Sequence, residues 1–300
     1  MFTGLSAFPI TPFQNEQVNL KAFARLIVNL TEARVDSICA MGSTGLYPYL
    51  SRDELTTVAK TTTELAGSIP VMAGIGSLRT IDVLKNAEAV QQAGVSAVLL
   101  APVSYHPLME SEVYSLYEQV SAELSVPLCV YENPGVTNFT FSDELYRAIS
   151  RLPNVAAIKI PGMPFATAQG ADRLAQLRNI VPDHVAIGVS GDKFGAAGMA
   201  AGCDLWLSVV GGLFPRTVQR LIHAAQSEQS EQSEITIKYS AQLNSLWELF
   251  ARNKGGLRVM ATAANMLGYA EGNCLPLPLS PLVGEERVAL ANILAQLKLD

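Results

Sequence analysis

The run Val155-Ala156-Ala157-Ile158-Lys159-Ile160 sets one lysine inside an apolar stretch. Desolvation penalises an ammonium there, so burial favours the neutral amine, which is the form that attacks carbonyl carbon. A lysine at a strand end can instead snorkel its charge to water. A second run, Pro127-Leu128-Cys129-Val130-Tyr131, ends on a phenol and is followed by Glu132-Asn133-Pro134-Gly135. Building and dehydrating a carbinolamine moves protons at nitrogen and oxygen, and a phenol close to the amine can carry them. Alone, a tyrosine at a strand end is commonly a packed aromatic with a wet hydroxyl; beside Lys159 it becomes a candidate proton relay. The third group is Gly42-Ser43-Thr44-Gly45. Its glycines let backbone approach a ligand, and successive amides with two hydroxyls can hold a carboxylate. Plain turns use the same residues. Because no lysine follows Gly45, the loop is not a nucleotide-binding P-loop.

Weaker candidates follow the later apolar runs. Ser190-Gly191-Asp192 comes after the seventh, and Leu207-Ser208 lies in the eighth. Ser190, Gly191 and Leu207 are read as substrate contacts. Asp192 could equally cap a helix, and Ser208 could be a satisfied core hydroxyl. The three histidines, His106, His184 and His223, sit on separate segments without ligand spacing. That gives metal-dependent aldol chemistry little support. The expectation is a covalent lysine imine with no metal and no organic cofactor.

These side chains need a frame. Short apolar runs at 5–8, 37–40, 71–75, 97–100, 128–131, 155–160, 185–189 and 205–210 alternate with longer amphipathic segments. Runs apolar nearly throughout suit parallel strands covered on both faces. Gly94 and Gly202 stand where left-handed helix caps are expected just before strands. Pro70 and Pro127 stop helices at two other such junctions. Ser51 with Glu54 has capping-box spacing, and Ser142 marks another helix start. Eight β/α units predict a (β/α)8 TIM barrel; a doubly wound open sheet is the alternative. In a barrel, Tyr131 and Lys159 end neighbouring strands at the face where active sites of this fold lie. Helical pattern resumes at 239–252, 257–267 and 285–297. We therefore expect a barrel over 1–226 and a C-terminal helical extension over 227–300 packed on it. The polar repeat 227–234 is read as a solvated junction, and 275–281 as an extended connection against the barrel.

Only 16% of residues are charged while 49% are hydrophobic. So little charge on a chain of this size predicts apolar surface buried between subunits. The net charge of −6, with no run of Lys or Arg, argues against a nucleic-acid partner. Cys39, Cys129, Cys203 and Cys274 lie far apart, without C-x-x-C spacing, so neither a zinc site nor a disulfide framework is expected. Met1-Phe2-Thr3-Gly4-Leu5 shows no basic stretch leading into an apolar one, and no apolar run nears the roughly 18 residues of a bilayer span. A soluble, cytoplasmic protein is expected, with no membrane partner.

Gly42-Ser43-Thr44-Gly45, Tyr131 with Asn133-Pro134, and Lys159 resemble, in order and spacing, the dihydrodipicolinate synthase/N-acetylneuraminate lyase family. The likeness runs from Phe8-Pro9-Ile10-Thr11-Pro12 to the proline-rich 275–281 stretch. It implies a pyruvate-type Schiff base on Lys159, Tyr131 as proton relay, Ser43 and Thr44 at the substrate carboxylate, a C-terminal helical extension and a homotetramer. Thr44 thereby joins Lys159 and Tyr131 in the expected catalytic set, with Ser43 and Gly45 as substrate contacts.

There are departures from the family pattern. Lysine-pathway synthases usually carry an arginine five residues after the tyrosine, serving the second substrate's carboxylate; here that residue is Val136. Glu132 stands where asparagine is usual, and Leu46 replaces a common glutamate. The tyrosine lent to a neighbouring subunit's site in many members falls near Tyr105, offset by one, with Ser104 in its slot. The expected function is a lyase or aldolase acting on a 2-oxo acid and an aldehyde or sugar-acid substrate. Dehydration of a 2-keto-3-deoxy sugar acid through the same imine is a close alternative. A lysine-pathway synthase is weakened by Val136, and a barrel that binds 2-oxo acids without turnover by the intact Lys159/Tyr131 pair. If Glu132 faces the mouth, it would repel a second carboxylate and favour a hydroxylated or neutral acceptor; Arg216 or Arg258 are the cations that could reverse this.

Overall fold

The computed structural model describes residues 1–167, 169–227 and 241–300. Eight strands close into a barrel: β1 (Gly4–Ala7), β2 (Ser37–Ala40), β3 (Val71–Gly74), β4 (Ala97–Leu100), β5 (Leu128–Tyr131), β6 (Val155–Pro161), β7 (Ala186–Ser190) and β8 (Leu205–Ser208). Each pairs in parallel with the next, and β1 pairs with both β2 and β8. The order is that of a TIM barrel; the open sheet is ruled out. Parallel neighbours need crossovers, and the amphipathic segments supply them. They are α1 (Leu20–Glu32), α2 (Arg52–Ala66), α3 (Thr80–Gln92), α4 (Glu110–Ala122), α5 (Asp143–Ile149), α6 (Gln169–Ile180), α7 (Asp192–Ala200) and α8 (Pro215–Gln226). Their apolar faces meet the outward side chains of the strands, such as Ile38, Val98, Val130, Ile158 and Trp206, in the main core.

The inward side chains form a second, smaller cluster. Cys39, Met72, Leu99, Cys129, Ala157, Leu205 and Leu207 fill the barrel lumen. Side chains alternate between the two faces of a strand. The alternation that turns Cys129 and Ala157 inward therefore also turns Tyr131 and Lys159 inward, one layer nearer the C-terminal mouth.

Local signals behave as their chemistry requires. Ser51 and Glu54 form a full capping box at α2, and the Ser142 side chain accepts from the Leu145 amide at α5. Gly94 and Gly202 adopt left-handed φ values of 85° and 101° where α3 and α7 end. The eighth strand stops at Ser208 instead of 210, because the Val209 and Val210 amides turn to the Asp192 carboxylate, each at 3.2 Å. Beyond the barrel lie α9 (Asn244–Arg252), α10 (Gly256–Met266) and α11 (Gly284–Leu297). Repeat positions 228–234 and helix positions 239–240 fall outside the described residues. The 275–281 stretch runs against the barrel: Leu275 is buried, and the Phe13 amide donates to the Cys274 carbonyl at 3.0 Å. Among the described residues no helix is long and apolar enough to cross a membrane.

Candidate active site

A cavity of about 560 Å³ opens at the carboxyl ends of the strands. Lys159 lies in its wall, 3% exposed, although lysine is almost never buried. Its Nζ sits 3.9 Å from the centroid of the Phe8 ring and 4.0 Å from that of Tyr131. Lys159 makes no ion pair among the described residues. Two aromatic faces can accommodate a cation, yet leave the amine no carboxylate to lock it in the charged form. The local fold enforces this placement. Tyr131 and Lys159 are register partners on β5 and β6, and Phe8 directly follows β1, its amide bonded to the Ser208 carbonyl at 2.9 Å.

Around the phenol is a short polar chain. Asn133 Nδ2 donates to Tyr131 Oη at 2.8 Å, and Ser43 Oγ lies 3.4 Å from both Tyr131 Oη and Asn133 Nδ2. With Asn133 donating to it, the Tyr131 oxygen keeps its own proton free to give, toward Ser43 or a ligand. Ser43 and Thr44 come from the loop after β2, which is pressed tightly against its neighbours. A Cβ on Gly42 would meet the Phe8 ring at 2.4 Å, and one on Gly45 would meet Met41 backbone at 2.7 Å. Thr44 is 7% exposed and its Oγ1 has no hydrogen-bond partner among the described residues. A buried hydroxyl left so costs free energy unless something fills the gap. Tyr47 stands in the same wall, and burial, with a smaller contribution from Tyr131, pushes its phenol well above the ordinary range. Beneath the amine, burial pushes the Cys129 thiol up to about 12 and also raises that of Cys39 well above its ordinary value, each partly offset by the Lys159 charge. Both thiols are neutral fillers of the lumen.

The structure thus brings Lys159, Tyr131, Ser43, Thr44, Ser190, Gly191 and Leu207 to one cavity. Gly45 is not in its wall; its carbonyl accepts from Thr11 Oγ1 at 2.7 Å.

Across residues 1–297 the sequence matches the model of the dihydrodipicolinate synthetase family. This chain belongs to that family. The 4-hydroxy-tetrahydrodipicolinate synthase of Bacillus subtilis is 28% identical over 300 residues, 99% of each chain. Among solved structures, dihydrodipicolinate synthase from Agrobacterium tumefaciens is 42% identical with a TM-score of 0.91, covering 99% of this chain and 98% of that one. The enzyme of the same name from Thermotoga maritima is 25% identical, TM-score 0.88, with both chains fully covered. The protein is accordingly a Schiff-base lyase of the class I aldolase type.

Against this family frame, several expectations need correcting. Glu132 does not face the mouth. It is buried on the outer side of β5, where its carboxylate accepts from the Phe141 amide at 3.0 Å and from the Tyr146 hydroxyl. The alternation that turns Tyr131 inward sends Glu132 outward, so it repels nothing in the cavity. Asp192 does not cap its helix; Gly191 takes that position. Its carboxylate instead ties α7 to the end of β8, accepting from Trp206 Nε1 at 3.1 Å, Ser208 Oγ at 2.5 Å and the Val209 and Val210 amides. Desolvation raises its pKa despite those four donors. Ser208 is the satisfied core hydroxyl, also accepting from the Gly211 amide at 2.8 Å. Leu46 is fully buried and directs nothing into the cavity. Arg216 is remote, its backbone amide bonded to Asp300, whereas Arg258 does line the cavity. Among the described residues no cluster of His, Cys, Asp or Glu is placed to hold a metal ion.

Sequence reasoning gave no role to Phe8, Asn133, Tyr47 or Lys254. Asn133 and Phe8 were visible as parts of motifs, and Phe8 closes the first strand as Tyr131 closes the fifth. Lys254 carried no signal.

Proposed function

We propose that Lys159 forms an imine with the ketone of pyruvate or a similar small 2-oxo acid, and that the carbon–carbon bond beside that imine is then made or broken. The neutral Nζ adds to the ketone carbon, and the resulting alkoxide takes a proton from the Tyr131 hydroxyl. Departure of water, which carries off one of the nitrogen's two protons, leaves a protonated imine beside the Tyr131 phenolate, and the phenolate regains its proton when C3 is deprotonated. Loss of a C3 proton then gives an enamine, which adds to an aldehyde; the reverse path cleaves that bond and leaves the enamine to be reprotonated. The protonated imine is the electron sink, so no metal or organic cofactor enters. Ser43 and Thr44 hold the substrate carboxylate, Thr44 through the hydroxyl that otherwise has no partner. Ser190, Gly191 and Leu207 wall the space beyond C3, and the Gly45 carbonyl, held by the Thr11 hydroxyl, supports the loop from behind.

One observation carries this reading: a buried lysine without an ion pair, its Nζ about 4 Å from the ring of its register partner Tyr131. The test is borohydride reduction in the presence of pyruvate. A stable mass should appear on the peptide containing Lys159 and vanish in Lys159→Ala. Labelling of a different lysine, or of none with any 2-oxo acid, would overturn it.

A further inference from the structure

The barrel supplies one side of the cavity, and the C-terminal helices supply the other. Phe250 of α9, the turn after it and the first turn of α10 line it through Lys254, Gly255, Gly256, Leu257 and Arg258. Three features of this corner are unfavourable as they stand. Arg258 occupies the first turn of an eleven-residue helix, where the macrodipole already places positive charge, and that turn contains no acidic residue. The N-cap position of the helix is Gly255, which has no side chain with which to cap the leading amides. Lys254 holds a left-handed φ of 60°, a conformation that a lysine seldom adopts. Neither cation makes an ion pair among the described residues.

The charge balance of the cavity sharpens the point. Its charged lining residues are Lys159, Asp192, Lys254 and Arg258. The Asp192 carboxylate is spent on Trp206, Ser208, Val209 and Val210, so what remains to meet a ligand is positive. At the barrel side the cavity-lining Thr44 is more than nine-tenths buried, and its hydroxyl has no hydrogen-bond partner among the described residues. One ligand spanning the space could satisfy both ends: a 2-oxo carboxylate at Thr44, and a second anion at the cations and helix start.

We propose that Arg258 and Lys254, with the amino end of α10, form a subsite for a distal anionic group, carboxylate or phosphate, on the acceptor or adduct. This rests on the imine reading and extends it to the far end of the substrate. It places the specificity cation on the C-terminal helices, opposite Val136, which lies 62% exposed at the mouth and offers no donor. The neutral or sugar-like acceptor expected from the sequence is thereby replaced by an anionic one.

Calorimetric binding to the full-length protein tests this whether or not the imine forms. The probes are 2-oxoadipate against 2-oxohexanoate, 2-oxoglutarate against 2-oxopentanoate, and an ω-phosphonate of matched length, with pyruvate as reference. The anionic-tailed member should bind about tenfold or more tightly, the scale of one charge-assisted contact. Carboxylate against phosphonate identifies the preferred anion. Arg258→Gln and Lys254→Gln should each erode the preference and the double variant abolish it, while Arg258→Lys retains part of it and pyruvate affinity stays unchanged throughout. Equal affinity of anionic and methyl-ended acids for the unmodified protein overturns the proposal, as does a preference that survives the double variant. Pyruvate trapping at Lys159 with no tail preference removes the subsite and leaves the imine standing. Absence of trapping with the tail preference intact does the reverse.

Discussion

At the scale of single residues, the site divides into groups the chemistry consumes and groups the fold consumes. Tyr131 Oη is held by Asn133 and Ser43 and packs its ring over Lys159. Tyr131→Phe keeps the ring and loses the proton, so turnover should fall by about 10²–10³-fold, the usual range for general acid–base catalysis. Stability should change by less than about 1 kcal/mol, because Asn133 and Ser43 remain next to one another and reach solvent. Near-normal turnover in a folded variant would make Tyr131 a packing residue. Thr44→Val gives the complementary result. Valine matches the shape of threonine, and the hydroxyl it removes has no partner among the described residues. The melting temperature should therefore hold or rise slightly, while pyruvate affinity falls by about tenfold, one hydrogen bond to a charged group. A lowered melting temperature with unchanged affinity would show the hydroxyl serving the loop. Lys159 and Tyr131 were legible in the sequence because polar groups interrupt apolar runs whose direction the two-residue period fixes. Arg258 could be named from the sequence only as one of two candidate cations, beside Arg216, and Lys254 not at all: nearly a hundred residues separate them from Lys159, and only packing of the C-terminal helices brings them to the mouth.

At the scale of elements, the same period explains a misreading. Glu132 follows Tyr131 directly, so the alternation that turns Tyr131 inward had to turn Glu132 toward the helix layer; its pairing with Tyr146 and the Phe141 amide depends on contacts nine and fourteen residues away. Its role is to clasp β5 to α5. Burial, followed by the charge and hydrogen bond of Glu132, pushes the Tyr146 phenol well above its ordinary range, so this hydroxyl donates and does not ionise. Glu132→Gln replaces one carboxylate oxygen with a donor, and one of two fixed donors then loses its acceptor. Unfolding by urea should show a loss of about 1–3 kcal/mol. The ratio of rates with anionic and neutral acceptors should stay where it was. A variant of normal stability with an altered ratio would return Glu132 to the cavity. The strands were legible to within a residue or two at their ends because β5, β6 and their neighbours are apolar on both faces. What could not be read was where side chains cut them short, as Asp192 does at Ser208.

At the scale of the whole molecule, the low charge content demands that apolar surface be covered. The exposed apolar side chains on consecutive units show where. Leu78 and Ile81 follow β3, and Tyr105 and Met109 follow β4, with Tyr105 87% exposed and its ring edge-on to His106 at 5.2 Å. Because β3 and β4 are hydrogen-bonded neighbours, these residues emerge side by side at the mouth of the barrel. Left in water, such a patch would be a liability for a monomer, and covering it by a second copy removes it. We expect a homo-oligomer of four subunits, with this patch in an isologous contact. Multi-angle light scattering at micromolar concentration reads the mass directly. Tyr105→Asp with Met109→Asp sets two charges in the patch and should shift the protein toward smaller species, while a control pair on the C-terminal helices, Val288→Asp on α11 with Leu267→Asp at the end of α10, should not. Tyr105 follows β4 at the same end of the barrel as the cavity, without lining it, so loss of activity in step with loss of mass would show that a neighbouring subunit completes the site. Activity unchanged in a dissociated variant would confine Tyr105 to assembly. A monomer for the unmodified protein would mean that the patch serves another partner, and that the low charge of this chain has a different cause.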